Sequence, residues 1–375
     1  ATASTDPKAI TIADLDADGW DDLIVAHPAD NSLSFLAVTA GRTVASWFAI
    51  KAPLPAPVSW AVESLFAADL NRDGAKELVA LSNGGKLLTI IPDVTRFTVP
   101  WQWKSLAAEY GTLAISDLDK DGRQEIVLGA STDAHILVIS ADLEGSIGSV
   151  APRRFATSGP VESIDIADVN GDALPDVVAG LRAAADQSVN VLAADPASLL
   201  KPAHSLELGS RGGYVRVIDM NSDGLPDAVL LDVTTPVLSD GQNLLTVRLN
   251  TGTSFEPMWL MNTGGPQPSL LAHLDTDGDG YVDFAIADTS AKTLRAMLGN
   301  GLGSFRPAAA PILLPGMPGC LTAGNCNGDR YEDVLVCRSE PTNHGIDLWT
   351  AVPGGTFKRE RSMATTAVPQ SLARD

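Results

Sequence analysis

The side chains best placed to do chemistry are carboxylates on a fixed spacing. Asp14, Asp16 and Asp18 alternate with other residues, Gly19 follows, and Asp22 closes a nine-residue frame ahead of the apolar run Leu23-Ile24-Val25. Oxygens at positions 1, 3, 5 and 9, with the backbone carbonyl of Trp20 at position 7, can converge on one hard cation. Calcium takes six to eight such oxygens at about 2.3–2.6 Å. Glycine at position 6 permits the bend that aims them inward.

The frame recurs along the chain. A second candidate set is Asp69, Asn71, Asp73, the carbonyl of Ala75, and Glu77. A third is Asp117, Asp119, Asp121, the carbonyl of Arg123, and Glu125. A fourth is Asp168, Asn170, Asp172, the carbonyl of Leu174, and Asp176. A fifth is Asp219, Asn221, Asp223, the carbonyl of Leu225, and Asp227. A sixth is Asp275, Asp277, Asp279, the carbonyl of Tyr281, and Asp283. The seventh copy runs from Asn325 through Asn327 and Asp329 to Asp333. The starts lie roughly fifty residues apart, which marks an internal repeat.

Three copies depart from the pattern. Ala173 stands where glycine is expected, so that bend is either strained or differently shaped. The sixth copy has an extra residue between Ser269 and Asp275, which admits a second register with Asp275 and Asp277 at positions 3 and 5; the nine-residue frame is preferred. The seventh has two asparagines and carries Arg330 at the glycine position, so calcium is expected to be weak or absent there. Arg330 either pairs with Asp329 or Asp333 in place of the ion, or points away and leaves the cage usable. The expectation is about six calcium ions, with loops 14–22, 117–125 and 275–283 strongest because they hold the most ligand charge.

Short apolar, alternating runs flank each frame, such as Thr112-Leu113-Ala114-Ile115 before the third and Ile126-Val127-Leu128 after it. The frame is therefore the tip of a β-hairpin. A third run follows, for example Leu87 to Ile91. Then come a glycine-rich turn ending in phenylalanine, as in Gly299-Asn300-Gly301-Leu302-Gly303-Ser304-Phe305, a fourth strand, and a proline-bearing link. Four antiparallel strands per repeat, with no convincing helix, is the pattern of an all-β propeller. The expected architecture is one seven-bladed domain over 1–375, with a tail at 366–375 that resembles the start of a further repeat.

The D-x-[DN]-x-D-G-x-x-[DE] hairpin, the apolar strand after it and the G-x-G-x-F turn resemble FG-GAP/VCBS repeats. These build the seven-bladed propeller of the integrin α-subunit head and of many secreted bacterial proteins. The resemblance covers nearly the whole chain. It implies calcium in the hairpins between strands 1 and 2, and ligand contacts, where present, on the opposite face.

A net charge of −20 argues against nucleic acid and anionic membrane as partners. Nearly half of the 46 carboxylates sit in the first six frames, so the acidity builds sites. No run reaches the ~20 apolar residues of a transmembrane helix, and the first residues have no signal-peptide pattern. Cys320 and Cys337 flank the seventh frame and can face each other across adjacent strands; a disulfide and two buried thiols are both open readings.

No G-x-S-x-G, H-E-x-x-H or phosphate-cradling loop is present. For His27, His135, His204, His273 and His344, packed or solvated imidazoles are the ordinary outcome. Trp60, Trp101, Trp103, Tyr110, Tyr214 and Trp259, with Arg153, Arg154, Arg182, Arg211 and Arg338, suit a sugar or protein surface, although tryptophans at blade edges commonly pack between blades. The expected role is an extracellular, cell-surface or periplasmic module, adhesive or scaffolding, for a protein or carbohydrate ligand. The alternatives are an enzyme such as a polysaccharide lyase, or a domain cut from a larger secreted protein.

Overall fold

The structure, a computed structural model, describes residues 9–15, 22–27, 31–38, 44–51, 61–82, 84–91, 100–142, 146–147, 150–182, 188–202, 204–207, 213–231, 244–252, 255–256, 259–262, 268–327, 329–340 and 343–364. Among these there is no helix, and none long and apolar enough to cross a membrane. The tail at 366–375, His344's side chain, Trp60 and Arg211 lie outside the described residues, as do the side chains of His204 and Trp259.

Strands pair in chain order within each sheet. Val62–Ala68, Glu77–Ser82, Leu87–Ile91 and Gln102–Ser105 make the second; Tyr110–Ser116, Glu125–Ala130, His135–Ile139 and Arg153–Ala156 make the third. The same antiparallel meander recurs in all seven repeats among the described residues. The frame joins the first two strands each time, and the residue before position 1 faces position 9. Ala68 pairs with Glu77, Ser116 with Glu125, Ala167 with Asp176, Ile218 with Asp227, and Leu274 with Asp283.

The second strands Glu77–Ser82, Glu125–Ala130, Asp176–Leu181, Asp227–Leu231 and Asp283–Asp288 are buried at every residue. They read as continuous apolar runs because both sheet faces are covered. Among the described residues, six hydrophobic clusters do the covering, each shared by two consecutive sheets. One joins Leu81 and Ile90 to Leu113 and Ile126; another joins Met220 and Val229 to Phe284 and Ile286. Gly129 shows how close the approach is, since a β-carbon there would fall 2.6 Å from Val161 Cγ1 of the next sheet. All-β sheets packed face to face in sequence give the chain a propeller-like architecture.

Two elements were not foreseen. A two-stranded ribbon, Ala194–Asp195 with Leu199–Leu200, interrupts the fourth sheet between its third and fourth strands. Ile312–Leu313 adds a fifth strand to the sixth sheet beside Thr293–Gly299. Cys320 and Cys337 are register partners, 4.9 Å apart at Cα, and form a disulfide.

Candidate metal loops and a polar channel

The hairpin loops share one backbone design. The residue at position 6 has positive φ in every copy from the second to the sixth: Gly74 at 86°, Gly122 at 90°, Ala173 at 69°, Gly224 at 86° and Gly280 at 85°. Ala173 therefore adopts the same bend as its glycine counterparts, and the strained reading of that loop is the one realised. Position 4 is also left-handed, in Arg72, Lys120, Gly171, Ser222 and Gly278. The nine-residue frame did not signal this second reversal, because only two of the five are glycine.

The side-chain oxygens hold these bends. The position-1 carboxylate accepts the N–H of position 6: Asp69 from Gly74 at 3.0 Å, Asp117 from Gly122 at 2.8 Å, Asp168 from Ala173 at 2.7 Å, Asp219 from Gly224 at 2.9 Å, Asp275 from Gly280 at 3.0 Å. Position 3 accepts from position 5, as in Asp121 N to Asp119 at 3.2 Å. Position 5 accepts from position 7, as in Tyr281 N to Asp279 at 2.9 Å. In the sixth copy these bonds run from Asp275 as position 1, so the nine-residue register is the one formed.

Position 9 does something different. Its carboxylate is buried and accepts the N–H of position 2 in all seven copies: Asp22 from Leu15, Glu77 from Leu70, Glu125 from Leu118, Asp176 from Val169, Asp227 from Met220, Asp283 from Thr276, Asp333 from Cys326. Where it is aspartate in the fourth to seventh copies, the other oxygen takes an N–H at the end of the third strand or two residues past it, from Ala194, Asn250, Gly299 and Ala351 at 2.8, 2.8, 2.8 and 2.9 Å. Position 9 thus fastens the loop to its sheet.

Burial makes these carboxylates resist ionisation. It pushes Glu77 and Glu125 up to about 7, with like-charged Asp69, Asp73, Asp117, Asp119 and Asp121 adding to the effect. Asp176, Asp227, Asp283 and Asp333 are raised for the same first reason. Asp119 and Asp277 are also raised, by burial and by their acidic neighbours. Such crowding favours a counter-cation. Among the described residues, two groups bring carboxylate oxygens within 4.8 Å of one another: Asp117 with Asp119 and Asp121, and Asp275 with Asp277 and Asp283. Asp117 Oδ1 is buried with no hydrogen-bond partner, an acceptor left for something else. These residues fit a hard, oxygen-seeking cation.

Side chains of adjacent loops interlock. Arg123 pairs with Asp121 through Nε at 2.9 Å and through Nη2, and holds that carboxyl below its usual range. Arg72 crosses from the second loop and donates to the Asp121 carbonyl at 3.0 Å. Arg330 pairs with neither Asp329 nor Asp333; its Nη2 donates to the Tyr331 hydroxyl at 2.6 Å. In the first loop Asp14 and Asp22 are described, whereas Asp16, Asp18 and Trp20 lie outside the described residues.

Several other sequence candidates are packed rather than displayed. His27 is buried, its Nε2 2.9 Å from Ser34 Oγ. His135 is buried with Nε2 2.8 Å from the Tyr110 hydroxyl. Arg338, a candidate for a displayed surface, lies instead in the strand Asp333–Glu340, buried, with Nε 3.1 Å from the buried Asp347. Trp101 and Trp103 pack against the core of the first two sheets.

A cavity of about 760 Å³ opens between the first strands of the second to fifth sheets. Phe66, Thr112, Glu162, Asp165, Tyr214 and Arg216 are among its lining. Tyr214 was noticed in the sequence; Asp165 and Arg216 were not.

The model of the FG-GAP-like repeat matches residues 14–80, 117–179 and 275–336, together just over half of the chain. The chain belongs to the FG-GAP-like repeat family. Comparison with curated proteins gives no match. Among solved structures, this FG-GAP chain is similar to the exotype rhamnogalacturonan lyase YesX, with a TM-score of 0.59 and 14% identity over 96% of this chain and 65% of that one. It is also similar to BBS1N in complex with ARL6DN, with a TM-score of 0.51 and 11% identity over 84% and 86% of the two chains. At such identities the likeness is one of fold.

Proposed function

We propose that this chain is a seven-bladed, calcium-stabilised propeller that acts outside the cytosol as a binding or scaffold module for protein or carbohydrate. The observation that carries the reading is the convergence of Asp117, Asp119 and Asp121, and of Asp275, Asp277 and Asp283, with the orphaned Asp117 Oδ1 among them. Asp14, Asp69, Asp168 and Asp219 begin loops with the same donor pattern, which gives about six ions. The Cys320–Cys337 disulfide supports an oxidising compartment, where calcium at ~10⁻³ M fills sites of modest affinity. A cation that binds only the folded loop adds ~2.7 kcal/mol per site at a hundredfold excess over Kd. The test is thermal melting in calcium and in chelator, with metal content by atomic emission. A marked drop in Tm on chelation is expected; an unchanged melt with no metal retained overturns the reading.

A second reading, an enzyme acting on a polysaccharide, draws support from the channel, where Arg216 and Tyr214 stand beside Asp165. A lyase would leave an unsaturated uronate, so ultraviolet absorbance on incubation with acidic polysaccharides tests it.

A further inference from the structure

Resting on the binding-module reading, we propose that the channel between the first strands of the second to fifth sheets is a site for an uncharged sugar, gripped by Asp165 and Arg216 and faced by Tyr214. The cavity, about 760 Å³, lies within the roughly 300–1,000 Å³ of small-molecule sites. When the repeats are aligned on their frames, one position of the first strand is occupied by Thr11, Phe66, Ala114, Asp165, Arg216, Ala272 and Thr322. Only two adjacent repeats carry charge at that level, and the charges are opposite. Small or apolar residues serve the same position elsewhere, so the fold does not demand the pair.

Both groups are held in place. Asp165 accepts the N–H of Val217 at 2.8 Å and of Ile166 at 3.0 Å, one on each oxygen. This ties the fourth first-strand to the fifth, which is a structural role. It leaves capacity over, because a carboxylate offers about four lone-pair sites. Burial raises the Asp165 pKa even though Arg216 acts to lower it, so the position carries a desolvation cost. Arg216 donates through Nη2 to the Tyr214 hydroxyl at 2.7 Å and lies 4.8 Å over that ring. The remaining guanidinium N–H groups outnumber that bond.

The charge balance selects the ligand class. Asp165 opposes Arg216, and Glu162 is paired with Arg182. Lys76 and Asp69 also line the cavity. A charged ligand would meet its own sign at close range. Sugar hydroxyls can accept from a guanidinium and donate to a carboxylate at once, and Phe66, Leu113 and Ile115 add apolar lining for the C–H side of the ring.

The test is calorimetric titration of the calcium-loaded full chain with galactose, glucose, mannose, xylose and their disaccharides, with galacturonate and glucosamine as charged arms. Binding of a neutral sugar is expected, weakened about tenfold or more by Arg216→Ala and by Asp165→Asn, since each removes one of the two opposite charges lining the channel. Because Asp165 ties two sheets, melts of each variant are taken in calcium; Arg216→Ala and Tyr214→Phe carry the test if Asp165→Asn does not fold. No neutral-sugar binding, stronger binding of a charged arm, or neutral-sugar binding that Arg216→Ala leaves unchanged overturns the proposal. In the last case the binding-module reading stands and only the channel is wrong; a loss of the calcium effect on Tm would instead strike the underlying reading.

Discussion

Arg330 lies across Gly278 of the preceding hairpin loop, where a β-carbon would fall 3.3 Å from Arg330 Cδ. Its charge therefore acts on Asp275 and Asp277 of the sixth loop. A cation held near a cation site opposes metal entry. Arg330→Ala is expected to tighten cation binding at the sixth loop by up to about fivefold at low ionic strength, with the gain shrinking as salt is added. Terbium luminescence titration, with Tyr281 nearby as sensitiser, measures it. Equal affinities at low salt would show that the guanidinium is fully screened.

Asp176 and Asp172 separate fastening from metal holding. Asp176 is fully buried and accepts from Val169 and Ala194 at 3.1 and 2.8 Å, whereas Asp172 is exposed. In chelator, Asp176→Ala is expected to cost about 2–4 kcal/mol, because two buried N–H groups lose their acceptor. Asp172→Ala should cost well under half of that in chelator, yet lose most of the calcium-dependent gain. Urea melts with and without calcium distinguish the two. Equal costs in chelator would mean that position 9 is only another ligand.

Ala173 holds φ at 69°, where its counterparts are glycines. A β-carbon in the left-handed region costs roughly 1–2 kcal/mol, while glycine costs about 0.5–1 kcal/mol in unfolded-state entropy. Ala173→Gly should therefore stabilise the chain slightly, by up to about 1 kcal/mol. The reverse change, Gly224→Ala, should destabilise it by a similar amount, since nothing lies within 4 Å of a β-carbon there. Paired urea melts check the sign; destabilisation by Ala173→Gly would show that the αL bend is not strained by alanine.

The hairpins were legible because one frame repeats and its residue types admit little else. The first three strands of most repeats followed from the apolar runs beside it, and the phenylalanine turns located Phe305 and Phe357 near the fourth strand. The ribbon at Ala194–Asp195 and Leu199–Leu200 was not legible, since that repeat lacks the glycine turn. The fastening role of position 9 was hidden, because a ligand and a buckle both require a carboxylate at that spacing. Asp165 and Arg216 were missed for another reason. Each is ordinary in its own strand, and only alignment of the repeats places them side by side.

Glu77 and Glu125 give the metal-free protein a pH dependence of unusual sign. Both are buried and stand at about 7 in the folded chain, against 4.5 for an ordinary glutamate. Between those values the folded state binds more protons than the unfolded state, so stability falls as pH rises from about 4.5 through about 7. The loss is on the order of 3 kcal/mol per site, since each tenfold change in proton affinity is worth about 1.4 kcal/mol. Calcium reverses the trend, because it binds the ionised carboxylates and gains affinity as pH rises. Urea melts across pH 4.5–7.5 in chelator should show the decline. Glu77→Gln with Glu125→Gln should make it shallower, as glutamine keeps an acceptor for Leu70 and Leu118 N–H without the charge, while the raised aspartates at position 9 of the later loops retain part of the slope. A slope in the double variant equal to that of the parent would place the origin of the effect elsewhere.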